Sequence, residues 1–218
     1  MTADREVPAV DAHAPHGQGA WHARSHESGW QARWRESGWQ ARWHTAVTQR
    51  SSDVALAAVP VPLRVLDVGC GAGALVRELS ERLPNVLELI GVDPDEAALG
   101  QARELADGRA RFVRASAERL PFPDGRFDLV VSTLSLHHWG DQPAGLAEAA
   151  RVLAEDGHVV LVDQFRSRFW RGNQPGGVRP TLAEIRSLLT DAGLRVERRE
   201  TIRRLGPPPF VRAFIASP

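Results

Sequence analysis

The chain predicts an α/β fold: a doubly wound sheet of seven strands, mostly parallel, with an antiparallel strand in its C-terminal pair. Three observations predict it. From residue 53 onward, apolar runs of strand length alternate with amphipathic stretches of helix length. The runs are continuously apolar, as strands covered on both faces of a parallel sheet must be. The last two strand-like runs have no helix between them, only a short connection holding Pro207, Pro208 and Pro209, so one of that pair must run antiparallel.

Taken in order, residues 1–19 are poor in large apolar side chains and read as a disordered tail. Residues 20–52 read as a Trp/Arg-rich helical extension, a lid. Within it E-S-G-W-Q-A-R-W-R at 27–35 recurs as E-S-G-W-Q-A-R-W-H at 36–44, a nine-residue repeat too short for a solenoid unit. Each copy has a capping-box shape, Ser28 before Gln31 and Ser37 before Gln40. Trp30 and Trp34 share a helical face, as do Trp39 and Trp43. Two short helices broken near Gly38 would let both pairs face inward.

Residues 53–218 form the α/β domain. Strands are expected at 64–68, 87–93, 111–113, 127–133 and 158–163, then near 195–203 and 210–216. Leu75, Val76, Leu79 and Leu83 mark a first helix, followed by helices at 94–106 and 144–153. Leu182, Ile185, Leu188 and Leu189 mark a last one, ended by Gly193.

Composition removes some chemistry. The 218 residues contain no Tyr, and every one of the 27 Lys-or-Arg positions is Arg. Without lysine there is no Schiff base and no phosphate-loop lysine; without tyrosine no phenol serves as acid or base. The formal net charge is zero, so no global field favours nucleic acid or an anionic membrane. The single cysteine, Cys70, permits no internal disulfide and suits a reducing cytoplasm. No apolar run approaches the length of a membrane span. His22 and His26, with His13 and His16 nearby, lack a completing acid or thiol, so no metal site is expected.

The densest signal is V-L-D-V-G-C-G-A-G at 65–73, where a strand turns into a helix. Gly69, Gly71 and Gly73 allow positive φ and close approach to a ligand, and the helix N-terminus adds free N–H groups. Asp67, inside the strand, suits a cationic ligand group better than a phosphate. Gly69, Gly71 and Ala74 also satisfy a dinucleotide-binding pattern, and an acid ending the second strand, Asp93, would bind ribose hydroxyls either way.

At these residues the chain resembles the class I methyltransferases that use S-adenosylmethionine (SAM), whose first motif reads D-x-G-x-G-x-G and whose sheet is Rossmann-like. R-A-S-A-E-R-L-P-F-P-D-G-R-F-D-L-V-V at 114–131 resembles the branch that includes the ubiquinone and menaquinone C-methyltransferases, and it separates this reading from a nicotinamide-dependent oxidoreductase. The resemblance implies a cofactor site made of Asp67, Gly69, Cys70, Gly71, Gly73, Asp93, Pro94, Ser116, Ala117, Glu118 and Leu134. Asp67 and the loop would hold the methionine end. Ser116 stands where the branch carries the Asp that binds the adenine amine; Glu118 could share that role. Cys70 is a small filler, not a nucleophile.

S-T-L-S-L-H-H-W at 132–139 follows the fourth strand, and in open α/β sheets that position faces the ligand. His137 and His138 are the candidate general bases, each with a plain packing role as the alternative. The Pro-Pro tetrapeptide of nucleic-acid and amide methyltransferases is missing after this strand, which favours a small-molecule acceptor. By the same resemblance, the acceptor pocket would draw on the extension and on residues 164–177: Trp30, Trp34, Trp39, Trp43, Phe165 and Trp170, which suit an aromatic or natural-product-like acceptor. The expectation is therefore a cytoplasmic small-molecule methyltransferase with no nucleic-acid partner, monomeric or homodimeric. A non-catalytic SAM-fold module acting through its Trp-rich extension is the alternative.

Overall fold

A computed structural model describes residues 39–166, 177–203 and 210–218. The tail, the first tryptophan pair with both capping boxes, the four histidines at 13–26, Trp170 and the three prolines at 207–209 lie outside the described residues. Among the described residues no helix is long and apolar enough to cross a membrane.

Helix α1 (Trp39–Ala58) precedes β1 (Arg64–Val68), α2 (Ala74–Arg82), β2 (Glu88–Asp93), α3 (Glu96–Leu105), β3 (Arg111–Arg114) and β4 (Phe127–Thr133). Then come α4 (Gln142–Val152), β5 (Leu153–Phe165), α5 (Leu182–Asp191), β6 (Arg195–Arg203) and β7 (Phe210–Ser217). The seven strands form one sheet in the order β3-β2-β1-β4-β5-β7-β6. β1 to β5 pair in parallel, and β7 runs antiparallel between β5 and β6. The C-terminal pair thus contains the antiparallel strand its helix-free connection requires.

The apolar runs bury both faces. Leu66, Ile90, Val130, Leu161 and Phe214 face α4 and α5, packing with Leu146, Ala149, Ile185 and Leu189. Their neighbours Val65, Leu89, Leu129, Val160 and Ile215 face the other side, with Val47 and Val54 of α1, Leu75 and Leu79 of α2, and Leu99 of α3. Alternation within each run supplies both layers, since successive strand residues point to opposite faces.

α1 runs unbroken through residues 52 and 53, where the sequence reading separates extension from domain. Val47, Ser51, Ser52, Val54 and Ala55 form its buried face. The Ser51 hydroxyl donates to the Val47 carbonyl (2.8 Å), and Ser52 accepts from Arg82 of α2 (2.6 Å).

Several boundaries move for local reasons. α3 starts at Glu96, not 94, because the Asp95 side chain accepts from the N–H groups of Ala97 and Ala98 and caps it. α4 starts at Gln142, not 144, because Asp141 caps it through Ala144 N–H. β5 is much longer than 158–163. Leu153 pairs with Phe127 and His158 with Leu129, so Ala154 to Gly157 bulge from the ladder. That A-E-D-G stretch carries no apolar signal, so periodicity leaves it out.

Strand order reverses between β1 and β4: β2 and β3 lie to one side, β5 and the antiparallel pair to the other. The crevice at their carboxyl ends is where an open α/β sheet takes its ligand.

Candidate active site

The loop leaving β1 is stitched to the end of β2. The N–H groups of Gly69 and Cys70 both donate to the Val92 carbonyl, at 2.8 and 2.9 Å. Gly71 N–H donates to one Asp93 oxygen (2.8 Å) and Asp95 N–H to the other (2.9 Å). Gly69, Gly71 and Gly73 have φ of 75°, 52° and 75°, the left-handed region that favours glycine. A Cβ built on Gly71 meets nothing within 4 Å, so this part of the cradle is open.

The cleft above the loop has a volume of about 690 Å³, within the usual range for small-molecule sites. Gly69, Gly71, Asp93 and Pro94 form its floor. Ala115, Ser116, Ala117 and Glu118 form one wall; Leu134, Ser135, His138, Trp139, Gly140 and Asp141 form the other. Of the sequence-predicted cofactor residues, three are not in the lining. Asp67 is buried beneath the loop, Gly73 is the N-cap of α2, and Cys70 points its thiol toward Gly91.

Asp67 is 2% exposed, and its Oδ1 has no hydrogen-bond partner. Burial, then the neighbouring Asp93, pushes its carboxyl up to about 7. An orphaned buried carboxylate oxygen is costly unless a cation or donor completes it.

On the wall, burial pushes the Glu118 carboxyl up, but the Asp141 N–H (3.1 Å), its own N–H and the Ser116 hydroxyl hold it below the ordinary range overall. Glu118 is thus an ionised acceptor beside Ser116. Opposite, Leu134 takes φ of 55°, an uncommon conformation for a non-glycine residue. Its N–H donates to the Val162 carbonyl (2.7 Å), which holds it there. Ser135 lies directly over Gly69 and accepts from the Trp139 indole N–H (3.0 Å).

The two histidines diverge. His137 is buried, with Nδ1 2.6 Å from Asp163 Oδ1 and its backbone N–H 3.1 Å from Oδ2. Since an ionised carboxylate only accepts, Nδ1 carries the proton. His138 is exposed in the cleft, its ring centroid 4.0 Å from that of His137. Desolvation first, then His137, holds His138 below the ordinary histidine range, so it is neutral and able to accept a proton at pH 7.

Of the expected acceptor residues, the two whose side chains are described, Trp43 and Phe165, do not line the cleft. Phe165 is 2% exposed and packs edge-to-face on Phe214. Trp43 packs against the core on the α1 side, its ring edge-to-face with His44. Trp39 begins α1, and its side chain is outside the description, as are Trp30, Trp34 and Trp170. Ser135 and Trp139 fall within the 132–139 segment that the sequence places against the ligand; Gly140, Asp141 and Asp163 carry no such expectation. The available signal was Asp163, an acid ending the apolar run V-V-L-V.

The comparisons with known proteins bear on this cleft. Residues 66–161 match the family model described as a methyltransferase domain. That match takes in a little under half of the chain. An uncharacterized methyltransferase of Bacillus subtilis is 42% identical over 106 residues, 47% of this chain and 41% of that protein. A demethylmenaquinone methyltransferase of Thermus thermophilus is 38% identical over 117 residues, 52% of this chain and 53% of that protein. The chain thus spans about half the length, or less, of these curated relatives. A solved SAM-dependent methyltransferase from Aquifex aeolicus superposes with a TM-score of 0.60 at 23% identity, covering 71% of this chain and 81% of that one, and shares the fold.

The matched stretch runs from inside β1 into β5 and contains every residue lining the cleft. The solved Aquifex aeolicus protein that shares this fold is SAM-dependent. The acceptors present suit SAM: an orphaned acid beneath an open glycine cradle for an ammonium, Asp93 with lone pairs to spare for hydroxyls, and Ser116 with Glu118 for an amine.

Proposed function

We propose that the whole chain is an enzyme that moves a methyl group from SAM to a small-molecule acceptor, at oxygen, carbon or nitrogen. The observation that carries this reading is that one cleft holds both the glycine cradle and a neutral imidazole, His138. When bound, SAM supplies a methyl group already activated by a sulfonium, so the protein's main task is alignment.

Asp67 and the 69–73 backbone hold the cationic methionine end. Asp93 and Pro94 position the ribose, and Ser116, Ala117 and Glu118 the adenine. Leu134 and Ser135 form the wall beside the reacting carbon and exclude water. His138 receives the proton that the acceptor sheds. Asp163 fixes His137 in one tautomer and orientation, and His137 in turn sets the pose of the neighbouring ring. Trp30, Trp34 and Trp170 would close the acceptor side, as a lid joined to the domain through α1. The protein would work as a cytoplasmic monomer or homodimer.

Calorimetric titration with SAM, S-adenosylhomocysteine (SAH) and NAD tests the reading, with Gly71→Arg as control. Micromolar binding of SAM and SAH, lost in the variant and absent for NAD, supports it and opens an acceptor screen. Folded protein that binds neither SAM nor SAH would overturn it.

A further inference from the structure

Arg179 lies outside everything described so far. It sits on the short return of the chain that follows β5, and this return is pinned on both sides of it. Upstream, the Gln142 side-chain amide donates to the carbonyls of Val178 (2.7 Å) and Leu136 (3.0 Å). Gly177 comes so close to His137 that a Cβ there would stand 1.9 Å from the His137 carbonyl oxygen. Downstream, Arg166 N–H donates to the Pro180 carbonyl (3.2 Å), and Arg166 bridges to Thr181. The position of Arg179 is therefore set by the same turn that presents His138.

Its guanidinium is half-buried and incompletely used. Nε donates to Gln164 Oε1 (3.1 Å), but Nη1 is shut off from solvent and, among the described residues, has no hydrogen-bond partner. No carboxylate forms an ion pair with it among those residues. Arg166, the other described guanidinium of this segment, is taken by Glu184 (3.1 Å). Asp163 is near enough for its charge to act on Arg179, yet its oxygens already accept from His137 N–H, His137 Nδ1 and Gln164 N–H. Arg179 is also near enough for its charge to act on His138. A desolvated guanidinium with an idle donor is costly to hold unless an anion completes it.

We infer that Arg179, with Gln164, is the binding site for a carboxylate of the acceptor, which makes the acceptor a small organic acid whose reacting group reaches His138. The inference rests on the methyltransferase reading and names the substrate class of that site. The guanidinium fork matches a carboxylate in two parallel hydrogen bonds, and the Gln164 amide is a further donor at its edge. Fixing the carboxylate on Arg179 fixes the distance from the acid to the methylated atom. Acids of one length and shape would therefore be selected.

The test uses the full chain loaded with SAH and titrates three probes, benzoate, 4-hydroxybenzoate and succinate, against their neutral amides. At least one carboxylate is expected to bind at least about tenfold more tightly than its amide, the equivalent of one charge-assisted hydrogen bond. Arg179→Gln should abolish that preference, Arg179→Lys should restore part of it, and both variants should keep wild-type affinity for SAH. Equal binding of acid and amide would overturn the inference, as would failure of all three acids to bind. Loss of SAH affinity and thermal stability in Arg179→Gln, matching its loss of acid binding, would overturn it too, assigning the residue to the charge balance of Asp163. If SAH does not bind at all, the cofactor reading fails on its own, and the acid-against-amide comparison is made on the unloaded protein.

Discussion

His137 Nδ1 and Asp163 Oδ1, 26 residues apart in the chain, lie 2.6 Å from each other at the carboxyl ends of β4 and β5. The same carboxylate accepts the backbone N–H of His137, so the turn after β4 is held by two bonds to one buried acid. Cutting them leaves two buried donors unpaired. Asp163→Ala is expected to lower stability by about 3 kcal/mol, with a fall in Tm of about 10 °C. Asp163→Asn, which keeps an accepting oxygen, should lose roughly half as much. Thermal unfolding followed by circular dichroism reads both; a change below about 2 °C for Asp163→Ala would mean that the pair contributes little.

Gly69 and Gly71 separate packing from binding. Both have positive φ, so alanine at either costs on the order of 1 kcal/mol. At Gly69 the added Cβ would stand 1.7 Å from Ser135 Oγ, forcing that wall and its bond from Trp139 to shift. At Gly71 it would meet nothing. Gly71→Ala is therefore expected to keep nearly its full Tm while losing SAH affinity about tenfold or more, because the methyl group points into the cradle. Gly69→Ala should lose both, with a stability cost of about 3 kcal/mol. Calorimetry and thermal melts on the two variants give the comparison, and equal Tm values would contradict it.

Asp67 is expected to make cofactor binding depend on pH. Buried and close to Asp93, it holds its proton up to about pH 7, against 3.8 for an ordinary aspartate. Between those values the folded chain binds a proton that the unfolded chain does not, so this group's contribution to stability falls as pH rises through the window. Ligand binding has the opposite sign: the charged carboxylate attracts the ligand ammonium and forms only as pH climbs past about 7. SAH affinity is expected to rise up to about tenfold per pH unit below that point, then level off. Asp67→Asn should flatten the profile; an equally steep one in the variant would assign the dependence elsewhere.

Cys70 should be chemically silent. It is 9% exposed, and burial, then the charges of Asp67 and Asp93, pushes its thiol well above the ordinary cysteine range. Native protein is expected to resist iodoacetamide at pH 8, and guanidinium-unfolded protein to be fully alkylated. Gly91 gives the reason in packing: a Cβ there would stand 2.7 Å from Cys70 Sγ. Gly91→Ala should cost about 1–3 kcal/mol, partly recovered when combined with Cys70→Ala. Rapid native alkylation would show that the thiol is not held against Gly91.

Much of this molecule is legible in one dimension because its signals are local. The centres of β1, β2, β4 and β5 are runs of successive buried residues because both faces are covered, and the antiparallel pair reveals itself by lacking a helix. D-V-G-C-G-A-G requires three left-handed turns within five residues, and only glycine takes them cheaply. The boundaries that shifted have local causes too: caps at Asp95 and Asp141, and a polar bulge at 154–157 without periodicity.

The amino-acid order alone thus determined the layered sheet, the cradle and the cleft's position at the carboxyl ends of the strands, since these follow from backbone preference and strand burial. It did not separate His137 from His138, adjacent and chemically identical. Only the tertiary structure decided that one ring turns down onto Asp163 and the other faces the cleft. The same holds for Ser135 over Gly69, Phe165 against Phe214 rather than in an acceptor pocket, and the idle donor of Arg179. These relationships join residues 15 to 66 positions apart, and they exist because strands distant in sequence end side by side, where packing sets which side chain is buried and which is left to meet a ligand.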